Sequence, residues 1–78
     1  MLEIVEAKYS NEYKLWLKFN NGKSGEVDLK DHIWGPAFEP LKDVDFFSKV
    51  EVSSVLGTVV WPNEVDFAPE FLLSNITM

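Results

Sequence analysis

The alternation of apolar and polar residues from Tyr13 to Phe19, interrupted only at Trp16, is the feature that most constrains the fold of this 78-residue chain. Every odd position in the segment is apolar, and two of its three even positions are Lys. A period of two places all the apolar side chains on one face of a β-strand. Because such a strand is stable only within a larger sheet whose apolar face is covered, the chain must supply partner strands and a core.

The residues after this strand predict a hairpin and its register. The Asn-Asn-Gly sequence at 20–22 suits a three-residue loop whose glycine adopts the left-handed conformation. That loop sets Leu15 opposite Val27 and Lys14 opposite Asp28, so that apolar residues share one face of the sheet.

The N-terminal segment predicts a third strand on the other side of the first. A three-residue loop at 10–12 sets Tyr9 opposite Tyr13. The three strands then share an apolar face formed by Val5, Ala7, Tyr9, Tyr13, Leu15, Leu17, Phe19, Gly25, Val27 and Leu29. The opposite face keeps three apolar residues close together, namely Leu2, Ile4 and Trp16. Since exposed aromatic side chains are enriched at protein interfaces, these three are candidate interface residues.

The whole chain is predicted to form a single α+β domain over residues 1–78. Asp43 is the expected N-cap of a short helix, and Pro69 suits the first position of a C-terminal helix. The predicted elements are a three-stranded antiparallel meander (about 2–9, 13–19 and 23–29), a short helix (about 44–48), a second hairpin (about 50–52 and 58–61) and a C-terminal helix (about 69–76).

The charge of the chain restricts the classes of partner that it can bind. Seven Lys, no Arg and thirteen Asp or Glu residues give a net charge of −6, which repels a polyanion, and the arginine fork that reads guanine and clamps phosphate is missing. We therefore expect no direct nucleic-acid binding.

The short apolar runs predict no membrane insertion, and the acidic N-terminus lacks the pattern of a signal peptide, which favours a cytoplasmic location. No cofactor motif is present, and no cofactor is expected.

His32 is the only imidazole in the chain, and it lies near Asp28 and Asp31. A histidine with carboxylates can act as a general base or hold a cation. A lone histidine on a loop is more often an ordinary surface residue, so these three are weak candidates for a metal site.

The chain is rich in aromatic residues, with three Trp and six Phe. Together they could line a ligand pocket, but a domain of this size needs most of them to fill its core. Trp16 is the exception, because strand alternation points it away from the core.

Three segments resemble a small bacterial family, the domain of unknown function numbered 2442. They are Gly35-Pro36-Ala37-Phe38-Glu39-Pro40-Leu41, Trp61-Pro62-Asn63 and Ala68-Pro69-Glu70. The resemblance implies a small α+β fold with no established activity, often encoded beside a second small protein in the manner of toxin–antitoxin pairs. One departure is that the family usually has Asn-Gly after Trp-Pro, where this chain has Asn63-Glu64.

Three functional hypotheses follow. The first is a non-enzymatic, acidic interaction module that binds a small basic protein, as the antitoxin-like half of a two-protein pair. The second is a small metal-dependent enzyme or ligand-binding domain that uses the histidine and its neighbouring carboxylates. The third is a homo-oligomer whose second sheet face is covered by its own copy.

Overall fold

Two antiparallel sheets and two short helices form the fold in the computed structural model, which describes residues 1–77 and confirms the predicted α+β class. One sheet has the order β1-β2-β3, and β4 pairs with β5 in the other. The elements in chain order are β1 (Ile4–Tyr9), β2 (Lys14–Phe19), β3 (Ser24–Asp28), a 3-10 turn (Glu39–Lys42), α1 (Val44–Phe47), β4 (Glu51–Ser53), β5 (Thr58–Val60) and α2 (Pro69–Asn75).

The predicted register between β2 and β3 is confirmed. Leu15 lies opposite Val27, and Lys14 lies opposite Asp28. In the connecting loop, Gly22 has φ = 88°, the left-handed conformation that a glycine adopts without steric cost.

The predicted register between β1 and β2 is wrong. Tyr9 lies opposite Leu15 rather than opposite Tyr13, so the strands are displaced by two residues and keep the same inward face. Tyr13 belongs to the loop, where its ring packs edge-on against Phe47 at 5.5 Å between centroids. Its hydroxyl also donates a hydrogen bond to the Lys42 carbonyl. These tertiary contacts hold Tyr13 outside the pairing with β1, while its carbonyl still accepts a hydrogen bond from the Leu29 amide at 2.8 Å.

A β-bulge at Val5 corrects two further predictions. The register shifts between Ile4 and Glu6, which places Ile4 opposite Phe19. One inserted residue reverses the facing of every residue beyond it. Ile4, predicted on the outer face, is therefore buried at 2% exposure, whereas Val5, predicted on the core face, is 52% exposed.

The core lies between the inner face of the three-stranded sheet and the C-terminal half of the chain. The second hairpin joins the first sheet at its edge, where the Ile4 amide donates to the Gly57 carbonyl at 2.9 Å. Trp61, 2% exposed, donates its indole N–H to the Phe47 carbonyl at 2.8 Å. The buried apolar residues are Ile4, Leu15, Leu17, Phe19, Val27, Leu29, Ile33, Leu41, Phe47, Val59, Trp61, Phe67 and Leu72.

Asp43 caps α1 as predicted, since its side chain accepts a hydrogen bond from the Asp45 amide at 3.0 Å. Pro69 is the first residue of α2, as predicted. No helix among residues 1–77 has the length and apolarity needed to cross a bilayer.

Ile76 and Thr77, which follow α2, form a C-terminal latch on the outer edge of β3. Thr77 and Glu26 exchange two backbone hydrogen bonds, of 2.7 and 3.2 Å. Gly25 makes this approach feasible, because a Cβ atom at that position would lie only 2.6 Å from the Thr77 carbonyl oxygen. The latch thereby fixes the C-terminal end of α2 against the sheet.

The turn after β5 contains a left-handed residue, and that residue is Glu64 rather than Asn63, with φ = 68°. The Glu64 amide donates to the Trp61 carbonyl at 2.8 Å, and the Trp61 amide donates to the Val65 carbonyl at 3.0 Å. The turn therefore keeps its hydrogen bonds although a non-glycine residue occupies the strained position.

Candidate binding groove

The predicted outer patch of Leu2, Ile4 and Trp16 does not form. Ile4 belongs to the core. The half-buried Leu2 borders a shallow hollow with Asn20 and Asn21, which directly follow the last residue of β2. Without Ile4 between them, Leu2 and Trp16 do not make a continuous apolar surface.

Trp16 alone remains on the outer face of the sheet, where it is half-buried. Its cross-strand neighbours are Lys8 on β1 and Glu26 on β3. The Lys8 ammonium lies 5.7 Å from the centre of the indole, a cation–π distance. Local charged side chains thus flank this tryptophan.

The structure does not bring Asp28, Asp31 and His32 together as a metal site. The Asp28 carboxylate accepts a hydrogen bond from the Lys30 amide at 3.0 Å, and the His32 ring packs edge-on against Phe71 at 5.0 Å between centroids. Within residues 1–77, no three His, Cys, Asp or Glu side chains are placed to hold a metal ion.

Five ring-bearing residues instead converge on one side of the molecule, around a hollow of about 280 Å³. We call this hollow the aromatic groove. Its lining residues come from two parts of the chain that are about 30 residues apart, and they are His32, Trp34, Phe38, Phe67 and Phe71.

Local structure sets the first three of these residues on one wall. The His32 amide donates to the Leu29 carbonyl at 2.9 Å, which turns the chain sharply after β3. A second turn at Gly35, with φ = 95°, lets the Phe38 amide donate to the Gly35 carbonyl at 3.1 Å. The chain thus doubles back, and Trp34 lies between the two turns.

The opposite wall, which is formed by Phe67 and Phe71, is held in place by contacts with the core. The buried Thr58 hydroxyl donates to the Phe67 carbonyl at 2.6 Å, which holds Phe67 beside β5. Phe71 follows one turn later on α2. Their rings stack at 5.5 Å with an interplanar angle of 13°, and Phe38 contacts Phe67 at 5.1 Å.

The exposed fraction of the lining residues increases from the floor of the groove to its lip. Phe67, at 9%, forms the floor, and Trp34, at 72%, forms the lip. His32, Phe38 and Phe71 are half-buried between them. The groove therefore joins the core directly to an aromatic ring in solvent.

The protein family described as a protein of unknown function (DUF2442) matches residues 4–77. The chain belongs to the DUF2442 family. The match includes both sheets and every residue that lines the groove. No curated protein and no solved structure matches the chain. The resemblance stated from the three sequence segments is thus confirmed over nearly the whole chain.

Acidic residues adjoin the lining residues of the groove along the chain of this DUF2442 protein. Four of the five lining residues have an exposed acidic residue as a direct chain neighbour, and none has a lysine neighbour. Adjacent Cα atoms are about 3.8 Å apart, so the backbone of each of these acids lies next to a residue of the groove wall. The four acids are Asp31, Glu39, Asp66 and Glu70.

Sequence reasoning missed the groove because it assigned most aromatic residues to the core. That assignment is right for Trp61 and wrong for Trp34. A partial signal was present, since acids adjoin four of the five lining residues, but Trp34 itself adjoins Ile33 and Gly35 and carries no such mark. Only the tertiary structure shows that the two aromatic segments meet.

Proposed function

We propose that this DUF2442 domain is a cytoplasmic interaction module that docks a small basic protein in its aromatic groove. The observation that carries the proposal is Trp34, which is 72% exposed at the lip of a groove whose lining residues have four exposed acidic residues as chain neighbours. Tryptophan at the mouth of a concave apolar surface is a frequent anchor of protein interfaces.

The free energy available from docking is substantial. Burying about 100 Å² of the indole ring at about 25 cal/mol/Å² contributes about 2.5 kcal/mol before the costs of association are subtracted. The preformed hydrogen bonds behind His32 and Phe67 keep the groove ordered in the free protein, which lowers the ordering cost of binding.

Charge favours a basic partner. The net charge of −6 and the acids beside the groove attract positive charge, so association is steered by electrostatics and is slower at high ionic strength. The resemblance to a family whose members are often encoded beside a second small protein supports the antitoxin-like half of such a pair as the biological role.

The experiment is a capture from native, nuclease-treated lysate, followed by reconstitution with the purified partner. Tagged wild-type chain is compared with Trp34→Ala and with Val55→Ala, whose side chain is 93% exposed at the tip of the second hairpin. Val55 serves as the matched control, because it is also an exposed apolar residue but lies outside the groove.

We expect one small basic protein to be retained by the wild type and by Val55→Ala and to be lost by Trp34→Ala. In calorimetry with the purified partner, the tryptophan variant should bind at least tenfold more weakly, as is typical of an interface hot spot. A partner that binds Trp34→Ala as tightly as wild type would refute the groove as the docking site. Capture of no protein at all would count against the interaction module itself.

A further inference from the structure

We propose that the groove recognises an arginine side chain of its partner, with the guanidinium against the indole of Trp34 and the carboxylates at the rim. The inference rests on the proposed function and specifies the chemistry of the anchor. It follows from three observations, which are the accessible ring, the unpaired acids and the amino-acid composition of the chain.

The first observation concerns the rings. An aromatic face attracts a cation, and arginine additionally stacks its planar guanidinium on that face. Tryptophan is the aromatic residue type that attracts cations best, and Trp34 presents 72% of its surface to solvent. The half-buried Phe38 and Phe71 offer apolar surface for the methylene stem of the same side chain.

The second observation concerns the carboxylates. Among residues 1–77, the side-chain ion pairs are Glu6 with Lys8 at 3.4 Å and Glu39 with Lys42 at 3.3 Å. The three other acids of the rim, Asp31, Asp66 and Glu70, are exposed and take part in neither pair. An arginine fork forms two parallel hydrogen bonds with a carboxylate, so these acids supply the polar half of an arginine site.

The third observation concerns the source of the arginine. All seven basic residues of the chain are lysines. A second copy of the chain therefore has no guanidinium to offer, and an arginine site selects a partner of different sequence. This links the groove to a hetero-complex rather than to a homo-oligomer.

The test uses the full-length ¹⁵N-labelled chain and two acetylated, amidated pentapeptides. One carries arginine with two glycines on each side, and the other replaces arginine with citrulline, which has nearly the same shape and no charge. Binding is followed by the shifts of the Trp34 indole N–H and the Phe71 amide. The Trp34→Ala and Val55→Ala variants are titrated in parallel.

We expect the arginine peptide to shift the Phe71 amide with at least fivefold higher affinity than the citrulline peptide, a preference that falls at high salt. Val55→Ala should retain this preference, and Trp34→Ala should lose it. Equal affinities of the two peptides, or no shift with either, would overturn the arginine assignment. The proposed function would stand in that case if the captured partner still required Trp34, and it would fail separately if the partner did not.

Discussion

Two aromatic clusters, one in the core around Trp61 and one in the groove around Trp34, share Phe67 but differ in the solvent exposure of their tryptophans. In the core cluster, Trp61 is 2% exposed, contacts Phe47 at 5.5 Å between ring centroids and donates its indole N–H to a backbone carbonyl. In the groove, Trp34 is 72% exposed. Phe67 contacts Trp61 at 5.9 Å and Phe71 at 5.5 Å, so the two clusters are continuous.

The same residue type thus occupies two opposite environments within one small fold. A tryptophan whose polar atom and faces are all satisfied internally contributes to stability. A tryptophan left in solvent beside preformed aromatic walls is available for binding. Substitutions at the core cluster, the latch, the turn after β5 and the groove should therefore change the free energy of unfolding by very different amounts.

Trp61→Ala should have the largest effect on folding. It removes the largest buried side chain and leaves a cavity between the rings of Phe47 and Phe67, which costs about 3–5 kcal/mol. Urea unfolding followed by circular dichroism measures this loss in free energy of unfolding. A cost below about 1 kcal/mol would show that Trp61 is not the centre of the core.

Gly25→Ala should disrupt the C-terminal latch. The new Cβ would lie 2.6 Å from the Thr77 carbonyl oxygen, and overpacking of this kind costs about 1–3 kcal/mol. Hydrogen exchange should show loss of protection at the Thr77 amide, which donates to Glu26.

Ser24→Ala, one residue earlier on β3, is the control, and it should leave the Thr77 amide protected. If Gly25→Ala also preserved this protection, the close approach of the latch to β3 would be contradicted.

Glu64→Gly should stabilise the protein. Left-handed backbone costs a non-glycine residue about 1–2 kcal/mol, and glycine loses about 0.5–1 kcal/mol in entropy, so the net gain is about 0.5–1 kcal/mol. Thermal unfolding measures the gain, and Glu64→Ala, which keeps the positive φ without glycine, should show none of it. A destabilised glycine variant would mean that the Glu64 side chain stabilises the turn.

Trp34→Ala should have the smallest effect on folding. Its side chain is 72% exposed, and substitutions at such sites change the free energy of unfolding by less than about 0.5 kcal/mol. The same urea titration as for Trp61→Ala measures this change. A loss above about 1.5 kcal/mol would place Trp34 in the stabilising core and remove its distinction from Trp61.

Alternation and turn residues were sufficient to predict most of the fold. The Asn-Asn-Gly loop specified the register of β2 with β3, and Pro69 located the start of α2. The register of β1 with β2 was not predictable in this way, because the loop between them uses Glu12 at φ = 48° and no glycine marks the turn. The bulge at Val5 likewise has no local sequence signal.

The groove was the least predictable feature. Its two walls are separated by about 30 residues along the chain. The turns at His32 and Gly35 and the hydrogen bond from Thr58 to Phe67 bring them together in space. Hydrophobic patterning reports which strand face is inward, but it gives no information on irregular segments such as the one that carries Trp34. Composition alone therefore assigned this residue to the core.

The most direct test of the central claim is a chemical-shift map of the ¹⁵N-labelled chain upon titration with the purified captured partner. If the partner docks in the aromatic groove, the largest changes occur at its two walls, residues 31–39 and 66–71. Changes centred instead on Trp16 and its neighbours Lys8 and Glu26, on the outer face of the sheet, would contradict it.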